Sequence, residues 1–191
     1  WNAEPSRKYP KNKSAFEYEF DLQKITGFLY PDDTTEEGKR LRLMQQYFFT
    51  AAGVKSVCQN HKAKYGTLKT LSDHVVFHIN DTHPTLIIPE LMRILLDEEN
   101  MEWDEAWEIV THSTAYTNHT IMSEALEKWP VYLMQPILPR IYQLIEEINR
   151  RFFNFLIDKY TYSQIDLVNR MTIIHQGVVR MANLCLVGTY S

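Results

Sequence analysis

Val75-Val76-Phe77-His78-Ile79-Asn80-Asp81-Thr82-His83-Pro84 opens as a β-branched, apolar run and closes as a polar turn. A short run of this kind, bounded by Asp73 and by Asn80-Asp81, reads as a buried parallel strand. Residues 113–118 alternate weakly, read as a second strand, and end in Ala115-Tyr116-Thr117-Asn118-His119-Thr120. Two helical stretches lie between. Ile87, Ile88, Leu91, Met92, Leu95 and Leu96 form one apolar stripe, with Pro89 tolerated in its first turn. Asp97, Glu98 and Glu99 close it near Asn100. Residues 103–109 form the other, where Trp103 and Trp107 stand at i, i+4 as core anchors. A helical crossover this long implies parallel pairing and a right-handed connection.

In an open parallel sheet, ligands bind outside the carboxyl ends of the strands. Asp81, His83 and His119, with the neutral groups of Thr82, Asn118 and Thr120, are therefore the candidate residues of one shared site. An imidazole both donates and accepts hydrogen bonds at neutral pH. A carboxylate beside it fixes its tautomer or holds a hydroxyl. Such dense, directional bonding suits a carbohydrate. The same residue types after a strand are also ordinary turn formers, and Asp81 could cap the following helix. Both readings stand at this point. Asp81, His83 and His119 would also make the ligand set of a metal-dependent hydrolase. No HExxH, close His-x-His or paired cysteines accompany them, so no metal site is expected. No glycine-rich phosphate loop and no Gly-x-Ser-x-Gly elbow occurs. His61, His74, His78 and His112 read as surface or packing histidines.

The rest of the chain is mostly helical. Residues 1–14, with Pro5, Pro10, Arg7, Lys8, Lys11 and Lys13, read as an exposed basic loop. Residues 15–191 read as an incomplete α/β domain. A short helix should end near Gly27. Thr34 followed by Glu37 fits a capping box, so a helix should start there and run to about His61, at a cost of about 1 kcal/mol for Gly38 in its first turns. Pro139 should open the longest helix, with Ile141, Leu144, Ile145, Ile148, Phe152, Phe155 and Leu156 on one face. Residues 162–170 should form another, residues 178–181 are ambiguous, and residues 184–187 read as a third strand. The expected fold is α/β, a helix-rich three-layer sandwich around a short parallel sheet.

A length of 191 residues suits one ordinary domain. A net charge of -4 speaks against a nucleic-acid surface. Cys58 and Cys185 read as buried thiols in a reducing cytoplasm. No apolar stretch has the length of a membrane span, and none reads as a signal peptide. The chain starts at Trp1, and its last residues look like a strand running into a turn that stops, so a piece of a longer protein is expected.

The order of the unusual words carries further information. Leu29-Tyr30-Pro31-Asp32-Asp33-Thr34, Gly38-Lys39, Leu41-Arg42-Leu43 and Gln45-Gln46-Tyr47-Phe48 are followed by Asn80-Asp81-Thr82-His83-Pro84-Thr85 and Ile88-Pro89-Glu90-Leu91-Met92-Arg93. Then come Trp103-Asp104-Glu105-Ala106-Trp107, Ala115-Tyr116-Thr117-Asn118-His119-Thr120, Glu124-Ala125-Leu126-Glu127-Lys128-Trp129-Pro130, Leu138-Pro139-Arg140, Glu147-Ile148-Asn149-Arg150-Arg151-Phe152 and Met181-Ala182-Asn183-Leu184-Cys185. This series, over nearly all of residues 25–188, resembles the α-glucan phosphorylases. The resemblance implies part of the amino-terminal Rossmann-like half of a two-domain glycosyltransferase fold. It implies a parent enzyme, cytoplasmic and homodimeric, that cleaves terminal α-1,4 links of a glucan with inorganic phosphate and releases glucose 1-phosphate.

By the same resemblance, His119 contacts the glucosyl residue near its 6-hydroxyl, and Asp81 and His83 line the inner end of that site, with Asn118 and Thr120 beside them. Asp33 and Thr34 resemble a mobile gate loop, where a carboxylate would repel phosphate until the loop moves. Arg42 and Glu124 are candidates along the glucan path. Pyridoxal phosphate serves the family through its phosphate group, but its lysine belongs to the carboxyl-terminal half and is outside this chain. The chain alone is thus expected to bind no cofactor and to be inactive. Asp32-Asp33-Thr34-Thr35 departs from the Asn-Asp-Asn-Phe of animal members and resembles bacterial ones. Ser123 replaces a usual proline. The other reading is a non-catalytic carbohydrate-binding or assembly module on the same scaffold.

Overall fold

The computed structural model describes residues 14–27, 31–120, 122–160 and 164–189, and of these the side chains of Ala15, Phe16 and Glu124 are not described. The basic loop expected over residues 1–14 lies outside the described residues, apart from Ser14.

Helix α1 (Ala15–Gly27) precedes α2 (Glu36–Tyr65), which has 30 residues and is longer than the helix opened by Pro139. The cap of α2 sits one residue later than the sequence suggested. Thr35, not Thr34, accepts the Gly38 amide at 3.0 Å on its Oγ1. Thr34 instead turns its amide and hydroxyl onto Asp32 Oδ1, at 3.0 and 2.7 Å. Those bonds hold the Asp32 carboxyl below its usual range. With Thr35 as cap, position N3 is Gly38, so no acid closes a capping box.

Gly38 has a different purpose. A Cβ there would stand 1.7 Å from the Asp32 carbonyl oxygen. The missing side chain lets the 31–35 turn lie on the helix. Gly38→Ala is expected to cost ~1–3 kcal/mol through forced backbone displacement. Urea unfolding midpoints measure this; an unchanged midpoint would mean that the turn yields freely. The helix stops at Gly66, which adopts φ 78 and returns its amide to Lys62.

Strand β1 (Phe77–Asn80) pairs in parallel with β2 (Thr114–Thr117), in the register Phe77 with Thr114 through Asn80 with Thr117. The crossover is helical, as expected. It runs through α3 (Ile87–Arg93), a wider π turn (Ile94–Glu98) and α4 (Trp103–His112). Pro89 occupies the first turn of α3, where no helical amide bond is lost. In the π turn, Glu99 reaches back to the Ile94 carbonyl at 3.1 Å. The turn buries Ile94 and Leu95 and presents Glu98 to Lys55 and Arg93 and Asp97 to Arg140. Trp103 and Trp107 pack against the core, and Arg151 lies over the Trp103 ring at 4.7 Å.

A second, antiparallel sheet of order β3-β5-β4 joins β3 (Lys128–Pro130), β5 (Val178–Arg180) and β4 (Ile174–His175). This resolves the ambiguity over residues 178–181. Gln176 and Gly177 both have positive φ, 50 and 74, as a two-residue hairpin turn with right-handed strand twist needs. Helices α5 (Val131–Ile137), α6 (Pro139–Lys159) and α7 (Ile165–Met171) pack outside, and the expected start of α7 at residue 162 lies outside the described residues. Helix α6 buries Ile141, Leu144, Ile145, Ile148 and Leu156, but Phe155 points to solvent.

Residues 184–187 are not a third strand. They belong to α8 (Met181–Gly188). Its buried positions Met181, Leu184, Cys185 and Gly188 fall at helical spacing, and a Cβ on Gly188 would meet the Ile88 side chain at 2.7 Å. The helix ends against the sheet, where Thr114 donates to the Gly188 carbonyl at 2.7 Å. The result is a helix-rich α/β domain with a small parallel sheet. Cys58 and Cys185 are free and buried, and burial pushes both thiols up to about 12.

Candidate functional site

The ends of β1 and β2 meet as the sequence suggested. The Asp81 amide donates to the Thr117 carbonyl at 2.8 Å and extends the parallel ladder one residue past β1. Asp81 then takes φ 60, a left-handed conformation that aspartate tolerates better than most residues. Its Oδ1 accepts the His119 amide at 2.8 Å. The carboxylate therefore ties the second strand-end loop to the first. The His119 Nε2 lies 3.2 Å from Asn80 Oδ1. If Nε2 donates there, Nδ1 is left as an acceptor for another group. Asn118 Nδ2 donates to the Thr120 carbonyl and closes the loop on itself. His119 and Asn118 are exposed, and Asp81 is half-buried. The Tyr116 hydroxyl lies buried behind this pair without a partner among the described residues, and burial raises its pKa, with smaller contributions from Cys185 and Asp81.

His83 points elsewhere. It lines a largely apolar cavity of about 540 Å³ with Pro31, Arg42, Gln46, Phe49 and Phe77. Among the described residues no hydrogen bond joins it to Asp81 or His119. The structure thus brings Asp81, Asn118, His119 and Thr120 together at the strand ends and sets His83 on a neighbouring wall.

The side chain that organises that wall is one the sequence did not reveal. Glu127 Oε1 accepts Arg42 Nε and Nη2 at 3.2 and 2.7 Å and Gln46 Nε2 at 2.9 Å. The Glu127 amide donates to Thr82 Oγ1 at 3.2 Å, which fastens the 122–127 segment to the turn after β1. Arg42 reaches Asp33 Oδ2 at 2.9 Å with its remaining amino group. Arg42 lines both the larger cavity and a second, of about 400 Å³, that also holds Asp33, Lys39, Glu127, Lys128 and Trp129. One guanidinium therefore joins the 31–35 turn, α2 and the approach to β3. Thr34 is engaged with Asp32 and takes no part. The side chain of Glu124 lies outside the described residues.

A carboxylate, an imidazole and an amide side chain at the strand ends can hydrogen-bond a polyhydroxylated ligand, and the two cavities lie beside them, lined by other residues. These strand-end groups form no nucleophile–base pair and no metal cluster among the described residues. No described lysine is buried, and Lys39, in the smaller cavity, is bonded to Glu36. The described residues therefore do not fit a cofactor that needs a Schiff-base lysine.

Residues 2–191 match the family described as carbohydrate phosphorylase. The whole chain is 51% identical to a glycogen phosphorylase of Bacillus subtilis (strain 168) and covers 24% of that protein. Over 169 residues, 87% of the chain, it is 46% identical to a glycogen phosphorylase of Haemophilus influenzae, 20% of which is covered. Over 180 residues, 88% of the chain, it is 43% identical to the muscle form of glycogen phosphorylase of Homo sapiens, 21% of which is covered. The chain thus spans between 20% and 24% of the length of these relatives.

Proposed function

Because the chain belongs to the carbohydrate phosphorylase family, we propose that it is a segment of a glycogen phosphorylase and supplies part of that enzyme's sugar-binding wall. In the parent reaction, the terminal glucosyl C1 of an α-1,4-glucan forms a bond to phosphate as its bond to the 4-oxygen of the remaining glucan breaks, giving glucose 1-phosphate, and the departing 4-oxygen takes up a proton. The tie between Asp81 Oδ1 and the His119 amide, at 2.8 Å, carries this reading. It holds two polar loops as one surface, with side chains left over for hydroxyl groups. His119 and Asp81 would hold the glucosyl residue, with Asn118 and Thr120 shaping the loop and His83 on the adjoining wall. Asp33 and Thr34 belong to a turn at the mouth of the smaller cavity, and Arg42 and Glu124 to the glucan path.

Pyridoxal phosphate, bound by the parent through residues beyond the described ones, would supply a phosphate group for proton exchange with the substrate phosphate. The parent works in the cytoplasm as a homodimer; two free, buried cysteines suit a reducing compartment. No described helix is long and apolar enough to cross a membrane.

The test is phosphorolysis of a linear maltodextrin, read as glucose 1-phosphate. The purified chain should release none, and the intact parent should turn over. Turnover by the chain alone at a rate near the parent's, or no product from the parent, would refute the proposal.

A further inference from the structure

Away from the strand-end site, three rings meet where α2 ends. His61 is 5% exposed, the most buried of the described histidines. Its Nε2 lies 3.2 Å from Thr70 Oγ1. Its ring stands 4.5 Å from that of Tyr65 and 5.7 Å from that of His74, and Tyr65 and His74 stack at 4.2 Å with a 5° interplanar angle. Thr70 and His74 belong to the connection that leaves Gly66, buries Leu68 and Leu71, and enters β1. The rings therefore clamp this connection onto the end of α2. None of these residues takes part in the strand-end site; they lie at the opposite, amino-terminal end of β1.

We propose that His61, Tyr65 and His74 form a clasp that a proton opens, releasing the connection between α2 and β1 as the pH falls. A neutral His61 ring can accept the Thr70 hydroxyl at Nε2 and sit against two aromatic faces without a buried charge. A protonated ring must donate there instead, which turns the Thr70 hydroxyl round, and it carries a charge into a position only 5% exposed. It also faces Lys64 from its own helix and His74 from the connection. Asp73 is the opposing charge, and it is exposed. Burial, then His74 and Lys64, hold the His61 pKa below its ordinary value, with Asp73 pulling the other way. A folded-state pKa below the unfolded one means that the contribution is complete above about pH 6.5 and is lost as the pH falls below it.

Hydrogen exchange of the full chain at about pH 7.5 and pH 5.5, corrected for intrinsic rates, tests this. Residues 66–76 should lose more than about threefold, and at most about tenfold, in protection on acidification in the wild type, and no more than about twofold in His61→Asn. An equal loss in both would overturn the clasp. Should His61→Asn fail to fold, titration of the ring by NMR decides. Wild-type His61 should titrate below the exposed histidines, and His74→Gln should move its midpoint upward. A wild-type midpoint at or above that of the exposed histidines, or one unmoved by His74→Gln, would overturn the proposal.

Discussion

Glu90→Ala should lower the unfolding free energy by ~3–5 kcal/mol, the range for one partner removed from a buried ion pair. Glu90 is 1% exposed. Its oxygens accept Tyr47 OH at 2.9 Å and Arg93 Nε and Nη2 at 2.9 and 2.8 Å. The Glu90 carboxylate holds the Arg93 proton more firmly than usual, and burial, followed by the Glu90 charge, raises the Tyr47 hydroxyl. Truncation takes the acceptor from the Arg93 Nε and from the Tyr47 phenol. Glu98 also accepts Arg93, at 2.9 Å, and sets the lower end of the range. Glu90→Gln keeps the volume and one acceptor oxygen and should cost less. Urea unfolding of the two variants checks both values. A loss under ~1 kcal/mol for the alanine variant would mean that Glu98 and water replace the carboxylate.

Trp129→Ala should cost a similar ~3–5 kcal/mol, here through lost burial and the cavity left behind. For a chain of this size that is a fall in Tm on the order of 10 °C. Trp129 is 5% exposed, pairs with Val179 across the antiparallel sheet, and walls the smaller cavity. Its Nε1 is buried without a partner among the described residues. Trp129→Phe therefore gives up no hydrogen bond and should lose less than half as much. Calorimetry of both variants separates volume from polarity. Equal losses would show that the indole nitrogen matters after all.

The parallel strands and their crossover were legible because their signals are local. A β-branched run and a helical stripe need only neighbouring residues to be recognised. The α2 cap was misplaced by one because Thr34 and Thr35 are adjacent and both precede acids. Only the close approach of Gly38 to the Asp32 carbonyl selects between them. Residues 184–187 were misread because a short apolar run has no period of its own; the burial of Met181 and Gly188 at its two ends makes it helical.

The strand-end pair was legible in part. Topology brought Asp81 and His119 together, whereas His83, two residues on, had already turned to the other wall. Glu127 was invisible. It contacts Arg42 from 85 residues away, and although it stands in the word formed by residues 124–130, nothing local gives it a partner or a role. The one local hint was the pair of acids in Glu124-Ala125-Leu126-Glu127, and the sequence singled out the first of them.

The parallel ladder has two strands, so each has a single neighbour among the described residues. Parallel strands seldom stand in so narrow a sheet, because a ladder this small shields little of its own backbone. Phe77 through Asn80 and Thr114 through Thr117 each have one edge that pairs with no further described strand. A strand laid along either rim would widen the sheet without disturbing the bond from the His119 amide to Asp81, because that bond lies past the ladder's end.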